Sequence, residues 1–413
     1  MSAETESGLP RRILLLDADQ FFVQVARLID PEGAGREPLL LVGGAADARG
    51  VVCSASYETR RFGVRSGMPM SRALRLCPRA KVVPVPRGEC GARSRAIVEV
   101  LRRYAPVVEA ASIDEAYLDL TGTEALYGGR SLDDVALEIQ ASVLEETRIV
   151  VSLGGGTSKL VAKMASRLAK PGGVYCVEPG REAEFMARFR LGDLPGVGPV
   201  QTRELERRGL TTVAQAQALD EAALCRILGE ERGAWLYRRV RGLDDSPVVA
   251  SREQKQLSRE ETFPRDLDRD DDLGRELLAL ACRVGADLRA DGRRARTVTV
   301  KVRDADFRTR QASRTLPDPI ESDRAILAVA RELFAKLRSD RPGPIRLLGV
   351  GLSHLGGETD GDAQLGLFGE EMDGGIETDR DRALSHAVDR LRERFGSAAV
   401  RPAGLIRGSA RRG

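Results

Sequence analysis

The sequence has 413 residues, 42% of them hydrophobic, which is enough for two to four domains with sizeable cores. Six widely spaced cysteines and only two histidines argue against a zinc site or a disulfide framework, and no apolar run reaches the roughly 18 residues of a membrane helix. Arginine far outnumbers lysine, which favours an anionic polymer as partner, although an arginine-rich proteome gives the same bias. We therefore expect a soluble, cytoplasmic protein.

The N-terminal part of the chain predicts a small α+β layer. Residues 13–16 form an apolar strand that ends at Asp17 and leads into a helix. Residues 21–85 are mostly small and basic, and we expect them as an inserted subdomain. The elements up to a helix over residues 158–169 follow the order strand, helix, strand, strand, helix, strand, which suits a compact α+β sheet.

Three carboxylates stand at strand ends in this layer. Asp17 ends the first strand, and Asp114 and Glu115 interrupt the apolar stretch "EAASIDEAYLDL" near a predicted bend. Neighbouring strands could bring all three to one edge, where divalent cations such as Mg²⁺ would relieve their mutual repulsion. An ordinary acidic pair on the surface is the alternative.

Basic residues near these acids could bind phosphates. The helix over residues 158–169 and the residue after it carry four basic side chains along one face: Lys159, Lys163, Arg167 and Lys170. An ordinary face exposed to solvent is the alternative. The stretch "YETRRFGVRSG" adds cations able to grip a triphosphate: Arg60, Arg61 and Arg65, beside Tyr57. The nearby "GGGTSK" lacks the glycine spacing of a P-loop.

The stretch "LGDLPGVGPVQTRELERRGL" predicts a helix-hairpin-helix within an all-helical region. Gly196 and Gly198 permit a tight turn, after which the backbone N–H groups at a helix start can bind a phosphate without reading sequence. Four apolar side chains are expected to pack the two helices together: Leu194, Val197, Val200 and Leu205. An ordinary glycine loop is the alternative.

A later α+β region predicts a basic sheet face. Alternation over residues 297–303 places Lys301 and Arg303 on the same side as two threonines. A second strand adds three arginines: Arg308, Arg310 and Arg314. A half-buried sheet with a basic outer face would fit a nucleic-acid backbone, and ordinary surface strands are the alternative.

The C-terminal part begins with an acidic, glycine-rich stretch that predicts a disordered linker. Within it, the apolar pentapeptide "QLGLF", residues 364–368, could bind a groove as an extended peptide, unless it occurs by chance. A last amphipathic helix over Asp381–Phe395 follows, and its function cannot be derived from the sequence. Its apolar positions are Leu384, Val388, Leu391 and Phe395.

Taken together, these motifs resemble the Y-family of translesion DNA polymerases, in the bacterial DNA polymerase IV branch. The resemblance runs from Ile13 to Leu355 and continues into the tail. It is carried, in the family's order, by "LLLDADQFF", "ASYETRRFGVRSGMP", "ASIDEAYLDL", "SKLVAKMASRLAKPGG" and "LPGVGPV".

The resemblance implies an α+β multidomain fold of the right-hand polymerase type. It comprises a ferredoxin-like palm, small fingers, a helix-hairpin-helix thumb and an α+β little-finger domain. The implied bounds are 11–20 and 86–176 for the palm, 21–85 for the fingers, 177–244 for the thumb, 251–355 for the little finger, and 356–413 for a flexible linker with a clamp-binding motif and a C-terminal helix.

The resemblance also implies roles for individual residues. Asp17, Asp114 and Glu115 would be catalytic and, with the carbonyl of Ala18, would hold two Mg²⁺ ions. Phe22 would be the steric gate that excludes a ribose 2′-hydroxyl, although Gln20 beside it departs from the family's usual Cys or Tyr. The implied nucleotide contacts are Tyr57, Arg60 and Lys170; the implied DNA contacts are Gly196, Gly198, Lys301, Arg303, Arg308 and Arg310; and the implied clamp contacts are Gln364, Leu365, Leu367 and Phe368.

The implied activity is low-fidelity, template-directed DNA synthesis without proofreading. Its expected partners are primer–template DNA, deoxynucleotides and the β sliding clamp, with no membrane, and the protein is expected to be a monomer. One alternative is a catalytically inactive scaffold of the same family, although such relatives lose the three carboxylates. Another is a magnesium-dependent nuclease, which leaves Phe22 and the triphosphate contacts unexplained.

Overall fold

The computed structural model describes residues 10–251, 253–357, 376–396 and 398–405. The chain forms two compact units, of which the first comprises Met1–Ala46 with Gly50–Arg252 and the second Asp47–Arg49 with Glu253–Gly413. No helix in these described ranges is long and apolar enough to cross a membrane.

The first unit contains two sheets. The eight strands among its described residues are β1 Ile13–Ala18, β2 Leu40–Gly43, β3 Val52–Ala55, β4 Lys81–Val83, β5 Val107–Ala110, β6 Glu115–Asp119, β7 Val151–Gly156 and β8 Val174–Cys176. The larger sheet has the order β5-β6-β1-β7-β8, and the smaller sheet the order β3-β2-β4.

Eleven described helices belong to the first unit. They are α1 Phe21–Ile29, α2 Tyr57–Arg60, α3 Met70–Leu76, α4 Arg87–Leu101, α5 Leu132–Thr147, α6 Lys159–Ala169, α7 Glu182–Met186, α8 Pro199–Arg207, α9 Val213–Gln217, α10 Glu221–Leu228 and α11 Glu230–Val240. Side-chain oxygens of Ser56, Ser131 and Ser158 accept hydrogen bonds at the starts of α2, α5 and α6, where first-turn N–H groups have no partner within the helix.

The first strand lies at the centre of the five-stranded sheet, and every residue in it is buried. Leu14 and Leu16 pack with helices α4 and α5 on one face, whereas Ile13 and Leu15 contact Ala162 of α6 on the other. A central strand covered on both faces is apolar throughout, which explains the run "ILLL". The polar Asp17 appears only next to the last residue of the strand.

The helical region after β8 contains one departure from the predicted packing. Leu194, Val197 and Leu205 are buried in a common core, as expected, but the Val200 residue is 69% exposed. Val200 lies in the first turn of α8, directly after the tight turn, and points away from the partner helices. The prediction that it packs the two helices together was wrong.

The second unit is a four-stranded antiparallel sheet with helices on one face. Its elements are β9 Gln256–Leu267, α12 Asp270–Ala290, β10 Arg293–Asp304, β11 Thr309–Ile320, α13 Asp323–Asp340, β12 Ile345–Gly357 and α14 Asp379–Phe395. The strand order is β11-β10-β12-β9. Val298, Val300 and Val302 of β10 join α12 and α13 in the core, so the alternate residues of β10 lie on the opposite face.

Candidate active site

Strand pairing brings Asp17, Asp114 and Glu115 to one edge of the five-stranded sheet, the edge at which β1 ends and β6 begins. Asp17 at the end of β1 lies opposite Glu115 at the start of β6. The backbone N–H of Ala18 donates to the carbonyl of Asp114 at 2.9 Å, which holds the bend before β6 against the end of β1. The convergence expected from the strand order is thus present in the backbone.

Each of these carboxylates already has a partner. The Lys170 ammonium lies 2.6 Å from Asp17, and the Lys163 ammonium donates to both oxygens of Glu115 at 2.8 and 2.6 Å. The Ser112 hydroxyl donates to Asp114 at 2.5 Å. Among the residues that the structure describes, no three Asp, Glu, His or Cys side chains lie together in an arrangement that could hold a metal ion.

Burial makes Asp17 an unusual acid. It raises the pKa of this carboxyl from its ordinary value of 3.8 to about 6, because desolvation outweighs the opposing effect of the Lys170 ammonium. The neighbouring charges of Glu115 and Asp114 push in the same direction as burial. Two lysines, Lys163 and Lys170, therefore stand against three acids at this edge, and a bound cation would balance the remaining negative charge.

Helix α6 directs Lys159 and Lys163 towards carboxylates of the sheet, whereas the charged face of an ordinary surface helix points into solvent. Lys159 and Glu109 form an ion pair of 2.6 Å with side chains only 8% and 3% exposed, and the ammonium also lies 4.5 Å from the centre of the Tyr117 ring. Arg167 at the end of the helix lies 3.7 Å from Asp193. The solvated-face interpretation is therefore wrong for Lys159, which fastens α6 to β5.

Two of the three predicted nucleotide contacts, Tyr57 and Arg60, lie on α2, whereas Lys170 directly follows α6. The Tyr57 hydroxyl donates to Asp19 at 2.9 Å, and its backbone N–H donates to the side chain of Gln20 at 3.0 Å. The Arg60 guanidinium lies 4.9 Å from the Tyr57 ring centre, and its Nε donates to the Ala55 carbonyl. The departure at Gln20 thus has a structural consequence, since this side chain ties the start of α1 to α2.

Asp19 is a residue of this site to which the sequence reasoning gave no role. Its buried carboxylate accepts hydrogen bonds from Tyr57, from the Ser152 hydroxyl at 2.9 Å and from the Gly172 N–H at 2.6 Å. It therefore joins α2, β7 and the loop after α6. The alternation of "DAD" after a buried strand was the available signal, since it places Asp17 and Asp19 on the same side of the chain.

We expect Asp19→Ala to lower the free energy of unfolding by about 3 kcal/mol, because three donors would lose a charged acceptor. Urea unfolding followed by circular dichroism measures the change. The matched control is Asp245→Ala, whose carboxylate is 69% exposed beside Arg238 and should cost less than about 1 kcal/mol. Equal losses in the two variants would contradict a joining role for Asp19.

Phe22 lies in the first turn of α1 next to a buried neighbour. Phe21 is buried in the core under the large sheet, whereas Phe22 is only partly buried and packs at the margin of two hydrophobic clusters. The two ring centres are 5.7 Å apart and the rings are tilted by 59°. Phe22 is therefore the partly exposed member of the pair, at the start of the helix that follows Asp17 and Ala18.

The turn predicted to bind a DNA phosphate has the expected backbone form. Gly196 has a φ of +94°, and a Cβ atom there would lie 2.8 Å from the Trp235 ring, so both backbone conformation and space require glycine. Gly198 immediately precedes α8. The element before the turn is a single 3₁₀ turn, Leu191–Asp193, rather than the expected short α-helix.

The outer face of the second unit's sheet is polar rather than strongly basic. Lys301 lies on this face but is paired with Glu260 of β9, and the Nε of Arg303 donates to the Thr309 hydroxyl at 2.9 Å. Arg308 lies in the exposed turn between β10 and β11.

The prediction for Arg310 was wrong. Register places Arg310 opposite Val302, on the helix-covered face, where its guanidinium pairs with the buried Asp304 at 2.9 Å. Arg314 lies on that same face and pairs with Glu332 of α13. Alternation along β11 places Arg310 and Arg314 on the same face of the sheet. Which face this is depends on the register between β11 and β10, which could not be predicted from the sequence. The predicted clamp residues 364–368 lie outside the described residues.

Comparison with known proteins places this geometry in a family. The model of the impB/mucB/samB family matches residues 16–167, that of its C-terminal domain matches residues 254–367, and that of the DNA polymerase-iota thumb domain matches residues 192–244.

Curated relatives match nearly the whole chain. A DNA polymerase IV of Desulfatibacillum aliphaticivorans is 38% identical over 95% of this chain and 96% of its own length. The DNA polymerase IV of Gluconobacter oxydans is 39% identical over 83% of this chain and 94% of its own length.

Solved structures agree with these relatives. A Y-family DNA polymerase chimera, Dbh-Dpo4(243-245)-Dbh, superposes with a TM-score of 0.73 at 25% identity, covering 83% of this chain and 99% of that one. An insertion ternary complex of Dbh DNA polymerase gives a TM-score of 0.58 at 26% identity, over 83% and 98% of the two chains. The predicted α+β, right-hand polymerase fold is confirmed, and the chain belongs to the Y-family of DNA polymerases, in its DNA polymerase IV branch.

Proposed function

We propose that this chain is a template-directed, low-fidelity translesion DNA polymerase that joins a deoxynucleotide to a primer 3′-hydroxyl and releases pyrophosphate. The observation that carries the proposal is the meeting of Asp17, Asp114 and Glu115 at one sheet edge, beside Tyr57 and Lys170. A scaffold of the same family would not need this set. Family membership supports synthesis over the scaffold and nuclease alternatives.

Primer extension on a templated duplex with Mg²⁺ and four deoxynucleotides tests the proposal. Primer growth supports a polymerase. An unchanged primer with intact primer–template binding would favour the scaffold, and a shortened primer would favour the nuclease. All three outcomes are read from one gel.

The donor set fits divalent cations in chemical type. Asp17, Asp114 and Glu115 with the carbonyl of Ala18 offer the hard oxygen ligands that Mg²⁺ prefers, and we assign two ions to them. When bound, the ions supply charge that favours ionisation of the primer hydroxyl and stabilises the leaving pyrophosphate. Lys163 and Lys170 pair with Glu115 and Asp17 in the structure, so both ammonium groups would have to give up these contacts when the ions bind.

The nucleotide's phosphates would bind to Tyr57, Arg60 and Lys170. Lys170 contacts Asp17 in the structure, so it would exchange this carboxylate for a phosphate oxygen when a nucleotide binds. Arg60 is held by the Tyr57 ring and the Ala55 carbonyl, and these contacts reduce the freedom that its side chain loses on binding. The Arg60 side chain would thus be in position before the nucleotide binds, whereas Lys170 would first have to leave Asp17.

We expect Mn²⁺ binding to the metal-free protein to weaken by up to about tenfold per pH unit below pH 6, because Asp17 must lose a proton before it can bind a cation. A carboxyl with a raised pKa gains protons as the pH falls through that value, so the loss lies on the acid side. Titration of free Mn²⁺ by electron paramagnetic resonance between pH 5 and 8 measures it. Asp17→Asn is the control and should show a flatter pH profile; identical slopes would contradict the assignment.

Primer–template DNA would bind at two surfaces. The turn at Gly196 and Gly198 would receive a backbone phosphate, and Lys301, Arg303 and Arg308 would contact the duplex backbone. Lys301 would first have to release Glu260. Such contacts are not specific to sequence and weaken with salt.

A β sliding clamp is the proposed protein partner, through Gln364, Leu365, Leu367 and Phe368. Support comes from the sequence pattern within a chain of this family. We also propose that the protein is a cytoplasmic monomer when not bound to the clamp.

Deleting residues 364–368 should abolish stimulation by a loaded clamp, by about tenfold or more, while basal synthesis stays unchanged. The reason is that a tethered polymerase rebinds its primer many times before it leaves. Replacement of the pentapeptide by glycine and serine keeps the chain length as a control and should behave like the deletion. Clamp stimulation that survives both changes would remove this partner.

A further inference from the structure

The C-terminal helix α14 is docked on the second unit through its polar side. Arg289 of α12, whose side chain is 2% exposed, contacts Asp389 at 2.6 Å and Asp323 at 3.0 Å. Arg324 contacts Asp381 at 2.9 Å. The buried Arg289 fixes the orientation of α14, because a rotated helix would leave its charge without Asp389, whereas the Arg324 side chain is 71% exposed and contributes less.

Two further contacts strengthen this docking at the start of α13. The Ser385 hydroxyl accepts from the backbone N–H of Asp323 at 3.2 Å. Glu377, just before α14, accepts from the N–H groups of Glu321 and Ser322 at 2.9 and 2.6 Å. These N–H groups at a helix start need acceptors, so α14 completes the second unit rather than lying loosely on it.

The apolar side of α14 consequently points outward. Leu384, Leu391 and Phe395 are 63%, 42% and 62% exposed, and their spacing of seven and four residues places them on one stripe. Amphipathic helices of globular proteins usually bury this stripe. The sequence pattern alone predicted an amphipathic helix, but the buried ion pairs decide that its polar side faces the protein.

The charges beside the stripe indicate what could cover it. Arg380, Arg390 and Arg394 are exposed and flank the apolar residues. Asp379 is also exposed but pairs with Arg382, so the three arginines outnumber the one other exposed acid of the helix, Glu393. The exposed surface of α14 is therefore net positive, which opposes association with a second copy and fits an apolar surface edged by carboxylates.

The chain also limits which partner is within reach. Residues 369–378 are the only link between Phe368 and Asp379, and ten extended residues span about 35 Å at most. A protein that holds the pentapeptide at residues 364–368 is therefore close to α14. A second contact with a partner that is already tethered adds affinity at little further entropic cost.

We propose that the outward stripe of α14 is a second binding surface for the sliding clamp, against an apolar clamp surface edged by carboxylates. This inference rests on the proposed clamp partner. It gives the C-terminal helix a function: α14 completes the second unit with one side and contacts the clamp with the other.

Binding of the purified clamp to the full-length protein, measured by isothermal titration calorimetry, tests the inference. The stripe variant carries Leu384→Ser and Leu391→Ser, which are exposed and should not disturb folding. The matched control carries Leu137→Ser and Leu144→Ser, two exposed leucines of α5 with the same spacing. A third variant, Phe368→Ala, removes part of the pentapeptide.

We expect the stripe variant to bind the clamp about tenfold more weakly than the wild type, and the α5 control to bind equally well. Arg394→Glu should also weaken binding, which would support a carboxylate edge on the clamp. If the stripe variant binds like the wild type while Phe368→Ala loses binding, the stripe inference is wrong and the clamp proposal stands. If Phe368→Ala also binds like the wild type, both are wrong.

Sedimentation equilibrium tests the remaining alternative, in which a second copy of the protein covers the stripe of α14. A wild-type dimer that the stripe variant does not form would show that a second copy covers α14, and would overturn the inference. A monomeric wild type with weakened clamp binding in the stripe variant supports it.

Discussion

Asp114→Asn should lower the rate of primer extension by about 10³-fold while primer–template binding stays unchanged. The substitution keeps the shape of the side chain and its ability to accept from Ser112, but removes the charge that would hold a cation at the sheet edge. Asp114 lies at a half-exposed bend, so the loss of one charge there should leave the fold intact. Asp17 is less suitable because it is buried in the central strand.

Single-turnover extension and a separate fluorescence-anisotropy measurement of DNA binding give the two quantities. The matched control is Asp119→Asn at the opposite end of β6, which should extend primers like the wild type. If Asp114→Asn retains full activity, the reaction does not use this edge. If the wild type and the variant are both inactive with DNA binding intact, the scaffold alternative gains support.

The parts of the fold that could be predicted are those with short-range signals. The apolar run at residues 13–16 predicts a buried strand, and its central position in the sheet, covered on both faces, explains why consecutive residues are apolar. The bend at Asp114 and Glu115 follows from acids that interrupt an apolar stretch. The convergence of these acids with Asp17 could be expected because it needs only the strand order.

The parts that could not be predicted depend on register and on distant partners. Arg310 faces the helices because β11 pairs with β10 in a register that places it opposite Val302, and its charge is matched by Asp304. Lys159 is buried because Glu109 lies on a neighbouring strand. In both cases the charged residue has a partner that sequence spacing does not reveal.

Apolar patterns were misleading in a related way. Val200 and the stripe of α14 have the spacing of buried positions, yet both are exposed. Periodicity indicates that a helix has an apolar side, but it does not indicate whether the rest of the chain covers that side. At α14, the ion pairs of Arg289 in α12 with Asp323 in α13 and Asp389 in α14 decide which side of the helix is covered.

Phe22→Ala should reduce discrimination against ribonucleotides by about 100-fold, because the ring that would collide with a 2′-hydroxyl is removed. The neighbouring Phe21 is buried in the core, whereas Phe22 is only partly buried, at the start of the helix that follows Asp17 and Ala18. A ring packed from behind can exclude an oxygen atom without moving aside. The ratio of kcat/KM for a ribonucleotide and its matching deoxynucleotide measures the change.

Two controls separate sugar selection from general damage. Phe62→Ala removes an exposed ring elsewhere in the first unit and should leave the selectivity ratio unchanged. Incorporation of deoxynucleotides by Phe22→Ala should fall much less than tenfold, since the ring would contact the sugar only when the 2′-hydroxyl is present. If Phe22→Ala keeps the wild-type ratio, another group selects the sugar, and the nearest candidate is Gln20, whose side chain is already fixed by the backbone N–H of Tyr57.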